Sequence, residues 1–153
     1  MSVAIHFHTE LPLVFTLRHK NLIRNWLRQV VAAEGLTAVH IQDLNYIFCT
    51  DDYLHTLNVQ YLQHDTLTDV ITFDNSETDG KIVGDIFISV ERTNDNAQTY
   101  QVSSAYELHR VMVHGLLHLL GYKDKSEAES QLMRQKEDNY LRLLTILLQK
   151  SEH

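Results

Sequence analysis

The stretch His114-Gly-Leu-Leu-His118-Leu-Leu-Gly121-Tyr-Lys-Asp124 restricts what this chain can fold into more than any other segment. Four residues of α-helix turn the backbone through about 400°, so His114 and His118 sit about 40° apart on one face and about 6 Å apart along the axis. Two imidazoles in that relation can grip one divalent ion. Gly121 can take φ > 0, which other side chains resist, so it ends the helix and turns the chain back. The returning chain can carry Asp124 to the same ion, and carboxylate is an accepted partner of two histidines at zinc. On an otherwise apolar helix the two imidazoles need partners for their nitrogens, or their burial costs free energy. A metal supplies one partner and neighbouring groups supply the other.

The helix that carries them begins near Ser103 or Ser104 and runs to Leu120. Ser104-Ala-Tyr-Glu107 fits a capping box, in which serine and glutamate satisfy each other's backbone amides. Leu108, Val111, Met112, Leu116, Leu119 and Leu120 place apolar surface on several sides, which predicts a central, buried helix. Upstream, Val3 to Phe7 alternates as a strand. Arg18 to Glu34 has helical spacing through Leu22, Ile23, Trp26, Leu27, Val30 and Val31, closed by Gly35. Val39 to Phe48 is extended, and Asp51 and Asp52 open a helix to about Tyr61. Val70 to Phe73 and Asp85 to Val90 are short strands separated by a polar turn, Asp74 to Lys81. Glu91 to Gln101 is weakly helical. A second capping box, Ser126-Glu-Ala-Glu129, opens the last helix, which continues through Leu147. Strands mixed with helices and then two long helices predict an α+β fold, a small mixed β-sheet packed against helices, in one domain over residues 1–153.

An apolar fraction of 44% suffices for a sizeable core, and no apolar run reaches the length of a membrane span. The N-terminal residues lack the basic start and long apolar stretch of a signal peptide. Cys49 is the only cysteine, which excludes an intrachain disulfide and a cysteine-based zinc site. These features point to a reduced compartment, the cytoplasm. The net charge of −7 argues against a broadly basic nucleic-acid binder, so any RNA contact must be local. The arginines of the first helix, Arg18, Arg24 and Arg28, fit the solvated face of an amphipathic helix.

Two further residues share the face of His114: Arg110 one turn before it and Glu107 two turns before it. Arg110 can contact a phosphate or pair with a carboxylate. Glu107 can orient an imidazole, position a water or cap the helix. If Asp124 serves only the dipole of the helix that follows, the third ligand is to be sought among His64, His109, Asp65, Asp69 and Asp85. The layout parallels zinc hydrolases of the HExxHxxGxxH type, but Gly115 stands where their general base stands and Asp124 where their last histidine stands. Without that base, peptide hydrolysis by their route lacks its proton acceptor.

The His114–Asp124 stretch resembles the hallmark of the YbeY family of bacterial metal-dependent endoribonucleases, which are linked to rRNA maturation and ribosome quality control. Asn58-Val-Gln-Tyr61-Leu62-Gln-His64-Asp65-Thr-Leu-Thr68-Asp69-Val70-Ile71-Thr72-Phe73 and Gly84-Asp85-Ile86 resemble two more segments of that family. The resemblance implies one Zn²⁺ on His114 and His118, with Asp124 at the position of the family's third histidine. It places Glu107 and Arg110 where the family often has Glu and Arg. It places Leu62 where the family has an arginine tied to activity, which leaves nearby His64 as a source of positive charge. Arg110, Glu107 and His64 are therefore the candidate catalytic residues. The implied reaction is metal-activated attack of water on a phosphodiester of single-stranded RNA, in 16S rRNA 3′-end maturation. The implied partners are rRNA and the ribosomal small subunit, with no membrane and no DNA. Because Asp124 is a hard oxygen ligand, other divalent ions can replace zinc. The alternatives are a ribosome-associated assembly factor with a structural or weakly active metal site, and a zinc hydrolase of another substrate such as peptide.

Overall fold

The computed structural model describes residues 4–35, 40–62, 68–77 and 80–151. β1 (Ile5–Thr9) leads into α1 (Lys20–Ala33), and β2 (His40–Cys49) leads into α2 (Asp51–Leu62). β3 (Val70–Asp74) and β4 (Lys81–Ser89) follow, then α3 (Val90–Tyr100), α4 (Ser104–Leu119) and α5 (Glu127–Ser151). The strands form one sheet in the order β1-β2-β4-β3. β1, β2 and β4 run parallel, and β3 runs antiparallel to β4. The fold is α+β with a mixed sheet. The short β3–β4 connection allows only antiparallel pairing, whereas the parallel pairs need the longer crossovers that contain α1 and α2.

The two faces of the sheet carry different loads. Along β4, Ile82, Gly84, Ile86 and Ile88 alternate with less buried neighbours and face the main core. α1, α4 and α5 close that core, and each fully buried aliphatic side chain there, such as Leu116 or Ile86, contributes about 1.5–3 kcal/mol relative to exposure. On the opposite face, Cys49, Leu54 and Ile71 form a smaller core beneath α2 with Phe73 and Phe87 packed on it. Trp26 and Tyr46 each bury a polar atom in the main core and find a partner for it, as burial demands. Trp26 donates to the Tyr140 carbonyl at 2.8 Å and Tyr46 donates to the Met112 carbonyl at 2.8 Å.

The expected capping box at the start of α4 shifts by one residue. Ser103 is the N-cap, and its Oγ accepts from the Tyr106 amide at 3.1 Å. Glu107 therefore lies one position beyond the box and turns inward, where it is 5% exposed. The box at the start of α5 forms as expected, with Ser126 and Glu129 exchanging bonds of 3.0 and 3.1 Å. α3 begins one residue earlier than its sequence suggests because Ser89 caps it, accepting from the Arg92 amide at 3.0 Å. Val3 and Val39, expected in the first two strands, lie outside the described residues.

Candidate metal centre and its cleft

α4 lies at the middle of the molecule, with Glu107 to Val113 and Gly115 to Leu117 all buried. Its approach to the sheet is set by Gly115, where an added Cβ would meet Ile86 side-chain atoms at 2.9 Å. Position 115 thus faces the strand and has no room for the glutamate of a zinc peptidase. Past Leu119 the helix stops as expected. Gly121 has φ +105, its amide bonds to the His118 carbonyl at 3.0 Å, and the Tyr122 amide bonds to the Leu117 carbonyl at 3.0 Å. This pair of bonds is the Schellman stop, and it turns the chain back over the end of the helix.

The turn brings Asp124 to the two histidines. His114 Nε2 and His118 Nε2 are 3.0 Å apart, and Asp124 Oδ2 lies 3.4 Å from each. A tetrahedral ion with ligand bonds near 2.0–2.1 Å separates its ligand atoms by about 3.3 Å. The triangle has that size. The second ring nitrogens are both committed. His118 Nδ1 lies 2.9 Å from the Tyr122 carbonyl, which can only accept, so Nδ1 carries the proton. His114 Nδ1 lies 2.6 Å from Glu137 Oε2, so it donates as well. In the neutral rings the two Nε2 lone pairs then face each other and a carboxylate oxygen. A cation resolves that arrangement, and the donor set of two imidazoles and one carboxylate suits a divalent metal. Three protein ligands leave a coordination position for solvent or substrate.

Behind His114 runs a line of alternating charge. Glu137 of α5 is 4% exposed and uses its other oxygen to accept from Arg110 Nη1 at 2.8 Å. Arg110 Nη2 donates to Asp138 at 2.6 Å, and the guanidinium stacks over the Tyr106 ring at 5.6 Å. Burial works against the charged form of His114, but the Glu137 hydrogen bond and charge, with Asp124 and Asp69, outweigh it and raise the pKa. Of the two roles the sequence allows Arg110, the structure places it in the carboxylate pair. Of those it allows Glu107, capping is excluded, and the residue that orients an imidazole is Glu137.

The centre lies where two cavities meet, since His114 and Asp124 line both. One, of about 350 Å³, is bounded by Asn96, Tyr100, Glu107 and Arg134. The other, of about 560 Å³, is bounded by Leu62, Thr68, Thr72 and Lys125. Asp69 lines both. Burial pushes the Asp69 carboxyl up, against the opposing effect of His114, and pushes the Glu107 carboxyl up against that of Arg110. Of the other third-ligand candidates, Asp85 is bonded to Asn45 and Asn75, and His109 packs edge-on to Trp26 in the core. His64 and Asp65 lie outside the described residues. Tyr61 is 65% exposed and meets Phe73 edge-on at 6.0 Å, while Phe73 belongs to the smaller core.

Sequence reasoning missed Glu137. Its signal was present: it falls on the apolar face of α5 defined by Met133, Tyr140, Leu141 and Leu144, where an acid is out of place unless paired.

The family model described as Endoribonuclease YbeY matches residues 5–145. The protein named Endoribonuclease YbeY in Cytophaga hutchinsonii is 53% identical over 129 residues, covering 84% of this chain and 88% of that protein. The protein of that name in Flavobacterium psychrophilum is 48% identical over 142 residues, covering 93% of this chain and 97% of that protein. The solution structure of TM1509 from Thermotoga maritima superposes with a TM-score of 0.65 at 26% identity, over 96% of this chain and 93% of that one.

Proposed function

This chain belongs to the YbeY endoribonuclease family, and on that premise we propose that it is a single-domain, metal-dependent hydrolase that cleaves phosphodiesters of single-stranded RNA. Its place in the cell is 16S rRNA 3′-end maturation and ribosome quality control in the cytoplasm, with the ribosomal small subunit as partner. No helix among the described residues is long and apolar enough to cross a membrane. The observation that carries the reading is the triangle of His114, His118 and Asp124, with both Nδ1 atoms already tied to Glu137 and the Tyr122 carbonyl.

A divalent ion held there, zinc in the first instance, supplies Lewis acidity toward water and a phosphoryl oxygen. The chain's own groups do the rest. Glu137 fixes the tautomer and ring plane of His114, and Arg110 fixes Glu137, so Arg110 acts as a positioning residue. Asp69 and Glu107 are the cleft carboxyls whose protonated form burial favours, and they take or give the proton that the reaction moves. Lys125 lines the cavity that holds Leu62, and Arg134 lines the other. Both offer a positive charge to phosphate, Arg134 from beside Glu107, whose carboxyl already feels it. Exposed Tyr61 offers a face on which a base can stack.

The test is metal content together with cleavage. Purified protein should carry about one divalent ion per chain, and chelation should abolish cleavage of single-stranded RNA while the fold persists. Duplex RNA and casein should stay intact. One observation favours a second reading: Leu62 leaves the cleft without the arginine that the family resemblance expects. If the metal-free protein unfolds and the loaded protein cleaves no RNA, the ion is structural and the chain is an assembly factor.

A further inference from the structure

The end of α1 reaches the metal centre through one carboxylate. Glu34 directly follows the last residue of α1, and its side chain is 6% exposed. Its Oε1 accepts from the Tyr122 hydroxyl, and its Oε2 accepts from the Tyr140 hydroxyl and from Lys136 Nζ at 3.2 Å. Lys136 Nζ also sits over the Tyr122 ring, 5.6 Å from its centre. Burial disfavours the charge on Glu34, but the two tyrosines and the lysine outweigh it and hold the carboxyl below its usual range. The group is thus an anion fully engaged by three donors.

One of those donors belongs to the turn that builds the site. Tyr122 is the first residue after Gly121, its carbonyl accepts from His118 Nδ1, and Asp124 follows two residues on. Besides the packing of the Tyr122 ring against the main core, the turn has few other anchors. Its amides make the Schellman bonds, the Asp124 carbonyl accepts from Ser130 Oγ at 2.9 Å, and Lys123, Asp124 and Lys125 are exposed. α1 and α5 do not depend on Glu34 to stay together, because Trp26 bonds to the Tyr140 carbonyl and their apolar faces share the main core.

We propose that Glu34 is a positioning residue of the metal centre: by clamping the Tyr122 ring it fixes the peptide that orients His118 and the turn that presents Asp124. The proposal rests on the reading of His118 and Asp124 as metal ligands. Glu34 touches neither of them, so it acts only through Tyr122.

Two variants test it, Glu34→Gln, which removes the charge, and Tyr122→Phe, which removes the hydroxyl and keeps the carbonyl. The readouts are Zn²⁺ affinity by chelator competition and the His118 tautomer in metal-free protein by long-range ¹⁵N–¹H NMR. Each variant should lower affinity about tenfold, the low end for outer-shell partners. The double variant should lose little more than either single one, because both cut the same link. His118 should move from one tautomer to a mixture, while His114, held by Glu137, keeps its own. Leu54→Val, in the small core across the sheet, should lower the melting temperature and leave affinity and tautomer alone. If both variants lose stability with unchanged Zn²⁺ affinity and unchanged His118, Glu34 is merely a tie between helices and the proposal fails. If the wild-type chain binds no divalent ion, the reading of the site fails and takes this proposal with it. Should Glu34→Gln not fold, Tyr122→Phe alone decides by the same two readouts.

Discussion

His109 and His114 lie five residues apart on α4, about 140° around the helix, and their acid–base behaviour runs in opposite directions. His109 is 9% exposed, packs edge-on to Trp26 at 6.2 Å, and has no hydrogen-bond partner among the described residues. Burial, with a small push from His19, takes its pKa down to about 4. Its neighbours are those of a cavity of about 290 Å³ walled by Phe15, Leu17, Leu108 and Leu148. His114 is also desolvated, but Glu137 and Asp124 reverse the effect. Burial alone thus turns a histidine into a neutral packing residue. Burial beside fixed carboxylates turns it into a cation site, and so it is the partner set, not the depth, that marks function.

The contrast breaks most sharply at the ligands. His118→Ala should cost more than the 10–100-fold that loss of an outer-shell partner costs in metal affinity, and should abolish RNA cleavage, whereas His109→Gln should leave affinity at the wild-type value. Chelator competition on the two proteins checks this, and equal losses would erase the distinction.

Glu137 comes next. Glu137→Gln should weaken metal binding by about 10–100-fold, because His114 loses a charged orienting partner. Glu137→Leu should in addition destabilise the fold by about 3 kcal/mol in urea titration, since the Arg110 guanidinium, 10% exposed, keeps Asp138 as its one charged partner among the described residues, with the Tyr106 hydroxyl beside it.

The pH dependence of the metal-free protein sharpens the comparison further. The folded pKa of His109 lies below its unfolded value near 6.5, so the unfolded state binds the proton first as pH falls. Stability should then drop between pH 6.5 and about 4, by on the order of 3 kcal/mol, and His109→Phe should flatten that limb. His114 has the opposite sign. Its folded pKa is raised, so its contribution is full below pH 6.5 and is lost as pH rises through the raised value. Melting temperatures across both windows, for wild type and for each single variant, separate the two.

The gentlest change is at Asp124. A carboxylate lowers the charge of the centre by one relative to a third imidazole, so Asp124→His should retain metal and move the lower limb of the pH–rate profile down. An unmoved limb with metal bound as before would remove Asp124 from the ligand set.

The parts legible in the sequence were local. His114, His118, Gly121 and Asp124 fall within eleven residues, so helical pitch and one glycine stop suffice to foresee their convergence. The α1 and α4 faces and the strand at β4 follow from apolar periodicity in the same way. What could not be read depends on packing between distant segments. Glu137 is 23 residues from His114, and Glu34 is 88 from Tyr122. Only the packing of α1 and α5 against α4 makes them neighbours. The insertion of β4 between β2 and β3 likewise has no local signature. The misplaced capping box shows the same limit on a small scale. Ser103 and Ser104 both offer a hydroxyl before the helix, and the burial of Glu107 favours the earlier one.

The close fit of Gly115 against Ile86 sets a condition on how variation at this helix is to be interpreted. Any larger residue there must displace the buried Ile86 side chain or lift α4 from the strand, and lifting it carries the neighbouring imidazole out of register with the carboxylate it faces. A saturation screen would therefore score position 115 as intolerant as a ligand, although it holds no reactive atom. Compensating Ile86→Ala in the same background would tell a spacer from a participant.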